Sequence, residues 1–127
     1  MPQYMLLIYP PVDLAPPGAP DERLARWEGF GEGLRADGVL ITSGRLQDIH
    51  AATTVRVRDG EALVSDGPFA ETKEYLAGFY LIECADLDAA LAYGARMPLD
   101  DYGTVEVRPM MFPVGTRAAE MGTRAEA

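Results

Sequence analysis

The chain of 127 residues carries 20 acids against 11 bases, a formal net charge of -9, and is 48% hydrophobic. That length fits one domain with a real core, and that hydrophobic fraction excludes a disordered chain. The negative charge repels phosphate backbones, so neither nucleic acid nor anionic membrane is an expected partner; a few arginines focused in one pocket still suit a small anionic ligand.

QYMLLIY (3–9) is aromatic and aliphatic, too short for a helix, and predicts the first strand. Met5 to Tyr9 reads as strand and not as signal peptide, because a basic n-region and a small-residue cleavage site are both missing. Residues 10–20 hold five prolines and predict a semi-rigid loop. Residues 21–38 predict a helix, with Asp21 and Glu22 at its start and Gly38 at its end. Leu24, Trp27, Phe30 or Gly31, and Leu34 form its expected buried face. Three internal glycines weaken it by ~1 kcal/mol each, so tertiary packing must hold it.

Residues 39–46 predict the second strand. Residues 53–66 are two alternating runs joined by Asp59-Gly60, a strong two-residue hairpin turn. That turn sets Arg58 opposite Glu61, Val55 opposite Val64 and Thr53 opposite Asp66. The expectation is an outward arginine face and an inward valine face that carries Asp66. Residues 74–84 predict a further strand and 103–112 the last one. Between them, 86–97 predict a helix capped by Asp86, with Leu87, Ala90, Leu91 and Gly94 buried and Pro98 as its stop. Residues 1–112 form the expected domain. The tail, 113–127, repeats Gly-Thr-Arg-Ala twice, too few copies for a coiled coil, and is expected to be flexible.

The order is β-α-β, an inserted hairpin, then β-α-β. It predicts an α+β, ferredoxin-like antiparallel sheet with two helices on one face. The strands at 3–9 and 74–84 are apolar on both faces, and two helices cover only one. A second copy of the sheet is the simplest cover, which predicts a homodimer.

The stretch TTVRVRDGEALVSDGPFAETKEYLAGFYLIE (53–83), with YMLLIY (4–9), the Gly38 to Leu46 segment and YGTVEVRPM (102–110), resembles the YCII-related, DGPF-domain family. The resemblance spans residues 3–112. It implies dimers of the dimeric α/β-barrel type. It also implies a frequent gene neighbourhood with extracytoplasmic-function sigma factors, hence a regulatory link. The wider superfamily includes a cofactor-free dehydrochlorinase attributed to a His–Asp pair. This chain departs from that pattern, since His50 is its only histidine and follows the second strand.

Asp66 is the leading catalytic candidate, as an acid/base at a strand end. Its other reading is a turn aspartate bonded to backbone; Pro68 has no N–H to offer it, which leaves Phe69, Ala70, Thr53 or a ligand. Phe69 is expected to plug the barrel end. Thr53, Tyr80, Ser43, Arg108 and Lys73 are the candidate ligand-binding residues. For each a plain structural role stands beside the functional one: strand pairing, core packing, a surface ion pair or a solvated edge. Glu71, Thr72 and Lys73 would form a polar rim or a dimer contact.

Cys84, the only cysteine, reads as a small core residue, so no intrachain disulfide forms and a reducing cytoplasm is the simplest compartment. No metal or other cofactor is expected, because one histidine and one cysteine make no ligand cluster, and the glycines of GFGEG (29–33) lie inside a helix pattern. Two functions remain open. One is a dimeric protein that binds a small organic ligand, with a cofactor-independent step at Asp66. The other is a non-enzymatic accessory or regulatory module. A polar cavity containing Asp66 would favour the first.

Overall fold

The computed structural model describes residues 1–70 and 72–114. Among them the elements run β1 (Gln3–Tyr9), α1 (Pro20–Ala36), β2 (Leu40–Arg45), β3 (Thr53–Arg58), β4 (Glu61–Asp66), β5 (Gly78–Glu83), α2 (Leu87–Ala95) and β6 (Thr104–Pro109). The expected tail lies outside the described residues from position 115 onward, as does Glu71. The main sheet has the order β2-β5-β1-β6, and every neighbouring pair is antiparallel. This is the ferredoxin-like plan that the element order predicts.

One face of the sheet carries Tyr4, Leu6 and Ile82. It packs against Phe30 and Leu34 of α1 and Ala90 of α2, with Met97 and Cys84 completing the buried core. Gly94 lets α2 lie close on β6: a Cβ there would already touch Val105 and Val107, at 3.5 and 3.7 Å. The C-terminal ends of the helices are latched by Asp37, which accepts from the Tyr93 hydroxyl at 2.9 Å and faces Arg96 at 3.8 Å. Asp86 caps α2 as expected, accepting from the Ala89 N–H at 2.9 Å. Gly38 ends α1 at φ 70, a left-handed value that suits glycine.

Both helices bury fewer positions than their spacing suggests. Leu24 is exposed on α1, and Leu87 and Leu91 are exposed on α2. The short α2 buries only its closest-approach positions, Ala90 and Gly94.

The hairpin turns at Asp59 (φ 51) and Gly60 (φ 80), and its register is the counted one, with Thr53 opposite Asp66. Its placement corrects the expectation. The hairpin forms a separate two-stranded sheet, and both of its faces are open to solvent. Val57 is 70% exposed and Val64 is 66% exposed, so within one chain the valine face does not point inward. Phe69 does not enter the core either; it is 73% exposed, and Arg56 lies 5.1 Å from its ring centre. Gly67 takes φ 98, a conformation that favours glycine. Its N–H donates to Ala52 O at 2.8 Å and its carbonyl accepts from the Thr54 hydroxyl at 2.8 Å, so the Gly-Pro corner is tied to the start of β3.

Candidate functional site

Helix α1 is held off the sheet by rings. Phe30 meets Tyr80 edge-on at 5.1 Å between centroids, and Trp27 lies parallel to Tyr80, at 6.3 Å and 10°. Beyond these rings the N-terminal half of the helix leaves the sheet, and a cleft of about 1060 Å³ opens between them. The proline loop forms its outer wall. Tyr102 donates to Leu14 O at 2.6 Å, and Val12 N–H donates to Lys73 O at 2.8 Å, which holds that loop against the body. Arg26 and Asp100 form a two-pronged ion pair across the rim, one prong being Nη2 to Oδ1 at 2.8 Å. The guanidinium holds the Asp100 carboxyl below its ordinary range.

The floor of the cleft depends on a β-bulge. Leu40 pairs with Ile82, but the register then slips so that Ser43, not Thr42, stands opposite Tyr80. The extra residue re-aims the following side chains, so Ser43 and Arg45 share the cleft face with Tyr80. Gly78, two residues from Tyr80, lies on the same face, and nothing larger fits there: a Cβ would stand 2.7 Å from Gly44 O.

One row of α1 faces this floor. Arg23, Trp27, Gly31 and Arg35 recur every four residues, and all line the cleft. Arg35 folds back over Gly31, with Nη1 3.5 Å from where a Cβ would stand, and pairs with Glu32, which also lines the cleft, at 2.9 Å. Burial pushes the Tyr80 hydroxyl above the ordinary tyrosine value, and the Arg35 charge pulls it partly back. That hydroxyl therefore stays protonated at neutral pH. It makes no hydrogen bond to any described residue, yet it is not sealed from solvent.

Of the sequence candidates, the fold brings together Ser43 and Tyr80, directly across a strand pair and inside the cleft. Thr53 and Asp66 are paired with each other, but on the projecting hairpin; Asp66 is exposed and does not line the cleft. Arg108 is exposed on β6 opposite Met5, on the sheet face away from the helices. Lys73 is exposed beside the proline loop. His50 stands in a single 3-10 turn, its side chain 90% exposed and 4.0 Å from Asp48. Cys84 is buried, and that burial raises its thiol pKa, as befits a core residue. The cleft residues that the sequence reading did not single out include Arg23 and Arg35 on α1 and Arg45 on β2. For Arg23 and Arg35 the four-residue spacing on α1 was the signal, and Gly31 concealed it; Arg45 depended on the bulge in β2.

Among the described residues no helix is long and apolar enough to cross a membrane. An uncharacterised protein of Rhizobium meliloti (strain 1021) is 49% identical over 75 residues, which is 58% of this chain and 60% of that protein. The match thus spans less than two thirds of that relative's length. The family model described as the YCII-related domain matches residues 3–112, nearly the whole described fold. The chain belongs to the YCII-related domain family.

Proposed function

We propose that this protein binds a small organic ligand in the cleft between α1 and the sheet. The observation that carries this reading is the Tyr80 hydroxyl: protonated, unpartnered among the described residues, and lining a cleft of about 1060 Å³ with Ser43 across the strand pair. Sites for small molecules are concave, largely apolar and furnished with a few such polar groups. Ser43 and Tyr80 orient the ligand, while Trp27 and Leu24 supply apolar wall. The test is a fragment screen followed by amide shifts in a two-dimensional NMR spectrum. Hits should move Trp27, Ser43 and Tyr80. Tyr80→Phe should weaken them about fivefold, the loss of one hydrogen bond of ~1 kcal/mol. Hits that map elsewhere, or a Tyr80→Phe variant that binds as well as the parent, would sink the reading.

The acid/base role of Asp66 has no support in the cleft of its own chain, and Asp66→Asn is expected to leave ligand affinity unchanged. That same exposure favours a second reading, in which the hairpin is a docking arm of an accessory or regulatory module, in line with the sigma-factor link implied by the resemblance. A pull of binding energy by Val57→Asp, with cleft ligands unaffected, would favour it.

We further propose a homodimer. Met5, Leu7 and Phe79 share the sheet face away from the helices and are only half-buried, and Val57 and Val64 of the hairpin are exposed as well. A second copy covers such a face by symmetry. A reducing cytoplasm is the compartment we propose, given one buried free thiol.

A further inference from the structure

We propose that the occupant of the cleft is a flat aromatic molecule bearing an anionic group such as a carboxylate, a proposal that rests on the ligand-binding reading above. The walls select for flatness. Trp27 and Tyr80, which both line the cleft, are parallel within 10°, and Phe30 backs Tyr80 at right angles from the core. A planar ring gains offset or edge contacts on such surfaces that a puckered ring of similar size does not.

The polar groups select for an acceptor. The Tyr80 hydroxyl is a protonated donor without a partner among the described residues, and the Ser43 hydroxyl stands across from it. Arg35 folds into the cleft over Gly31, and its charge is felt at the Tyr80 hydroxyl. Its only carboxylate partner among the described residues is Glu32, and both side chains are more than half exposed, 58% and 74%. Such an exposed pair is weak and yields to a better-placed carboxylate. Arg45 lies on the same strand face as Ser43 and has no carboxylate partner among the described residues. Asp21, Glu28 and Glu32 also line the cleft, so its rim is not purely basic. Asp100 is already held by Arg26. A cationic ligand seated on the rings would face Arg35 at close range, which disfavours it.

The chain contains one tryptophan, and it is Trp27, so intrinsic fluorescence reports on this cleft directly. The experiment titrates the full chain with four probes, by fluorescence and by calorimetry: cinnamate, its uncharged amide, cyclohexanecarboxylate and benzylamine. Cinnamate should change the Trp27 signal saturably and bind about tenfold or more tighter than each of the other three. Arg35→Met keeps the side-chain stem. It should bring cinnamate down to the level of the amide and leave the amide unchanged. Equal binding of the amide or of cyclohexanecarboxylate, or tighter binding of benzylamine, overturns the aromatic-anion class while leaving a ligand site in the cleft. Silence from all four probes overturns the class as well; the fragment screen then decides separately whether the cleft binds anything.

Discussion

Glycines decide how closely the backbone can approach in this protein, and they do so in opposite directions. Gly78 sits where a Cβ would stand 2.7 Å from the Gly44 carbonyl oxygen, a backbone atom that moves only with its strand. Gly78→Ala should therefore destabilise the fold by about 2 kcal/mol, within the range of overpacked cores. Gly29, inside α1, meets nothing within 4 Å. Gly29→Ala should stabilise by about 0.5–1 kcal/mol through helix propensity and a less flexible unfolded chain. Thermal denaturation of the two variants should move the midpoint in opposite directions. Tyr80 adds a pH signature. Burial raises its folded pKa above the ordinary value of about 10. The stability tied to the protonated form is thus fully present below that ordinary value, and is lost as pH rises through the folded one. Urea midpoints taken from pH 8 to 11 should fall more steeply for the parent than for Tyr80→Phe.

At the scale of elements, the hairpin behaves unlike the rest of the chain. Two-stranded hairpins are marginal on their own in water. β3 and β4 pair only with each other, and their valines are exposed. Val57→Thr with Val64→Thr keeps strand propensity and removes apolar surface. Measured at high dilution, where chains are separate, the double variant should match the parent's stability within about 0.5 kcal/mol, as exposed positions do. A loss of several kcal/mol would mean that the valines are buried in the chain's own core. Helix α1 teaches the complementary lesson. Its buried residues are Phe30, Gly31 and Leu34, all in its second half, while its first half stands away from the sheet and forms a wall of the cleft.

For the whole molecule, the partly exposed apolar surface is the sheet face opposite the helices. Phe79 lies there against Gly44, where a Cβ would be 2.8 Å from the ring, and Leu7 pairs with it across β1. If two copies join through this face, light scattering will give twice the chain mass of 13.8 kDa. Phe79→Asp should then return the value to a monomer, because a charge at a buried apolar interface costs several kcal/mol. A parent that stays monomeric at all concentrations would remove the homodimer and leave Met5, Leu7 and Phe79 as a half-exposed apolar face.

The amino-acid sequence by itself determined what depends on near neighbours. The Asp59-Gly60 turn set the hairpin register down to Thr53 opposite Asp66, Asp86 capped α2, Gly38 ended α1, and the order of elements specified a ferredoxin-like sheet. The turn, the cap and the helix end follow from backbone geometry or from hydrogen bonds within one chain segment, and the sheet plan follows from the order of elements. Only the tertiary structure decided where Asp66 looks, that a bulge exchanges Thr42 for Ser43 opposite Tyr80, and that Arg23, Trp27, Gly31 and Arg35 share a cleft. The reason is distance along the chain. Trp27 and Tyr80 are far apart in sequence, and no local preference of either fixes the angle at which helix and sheet meet. That angle comes from the rings wedged between them, and it opens the cleft.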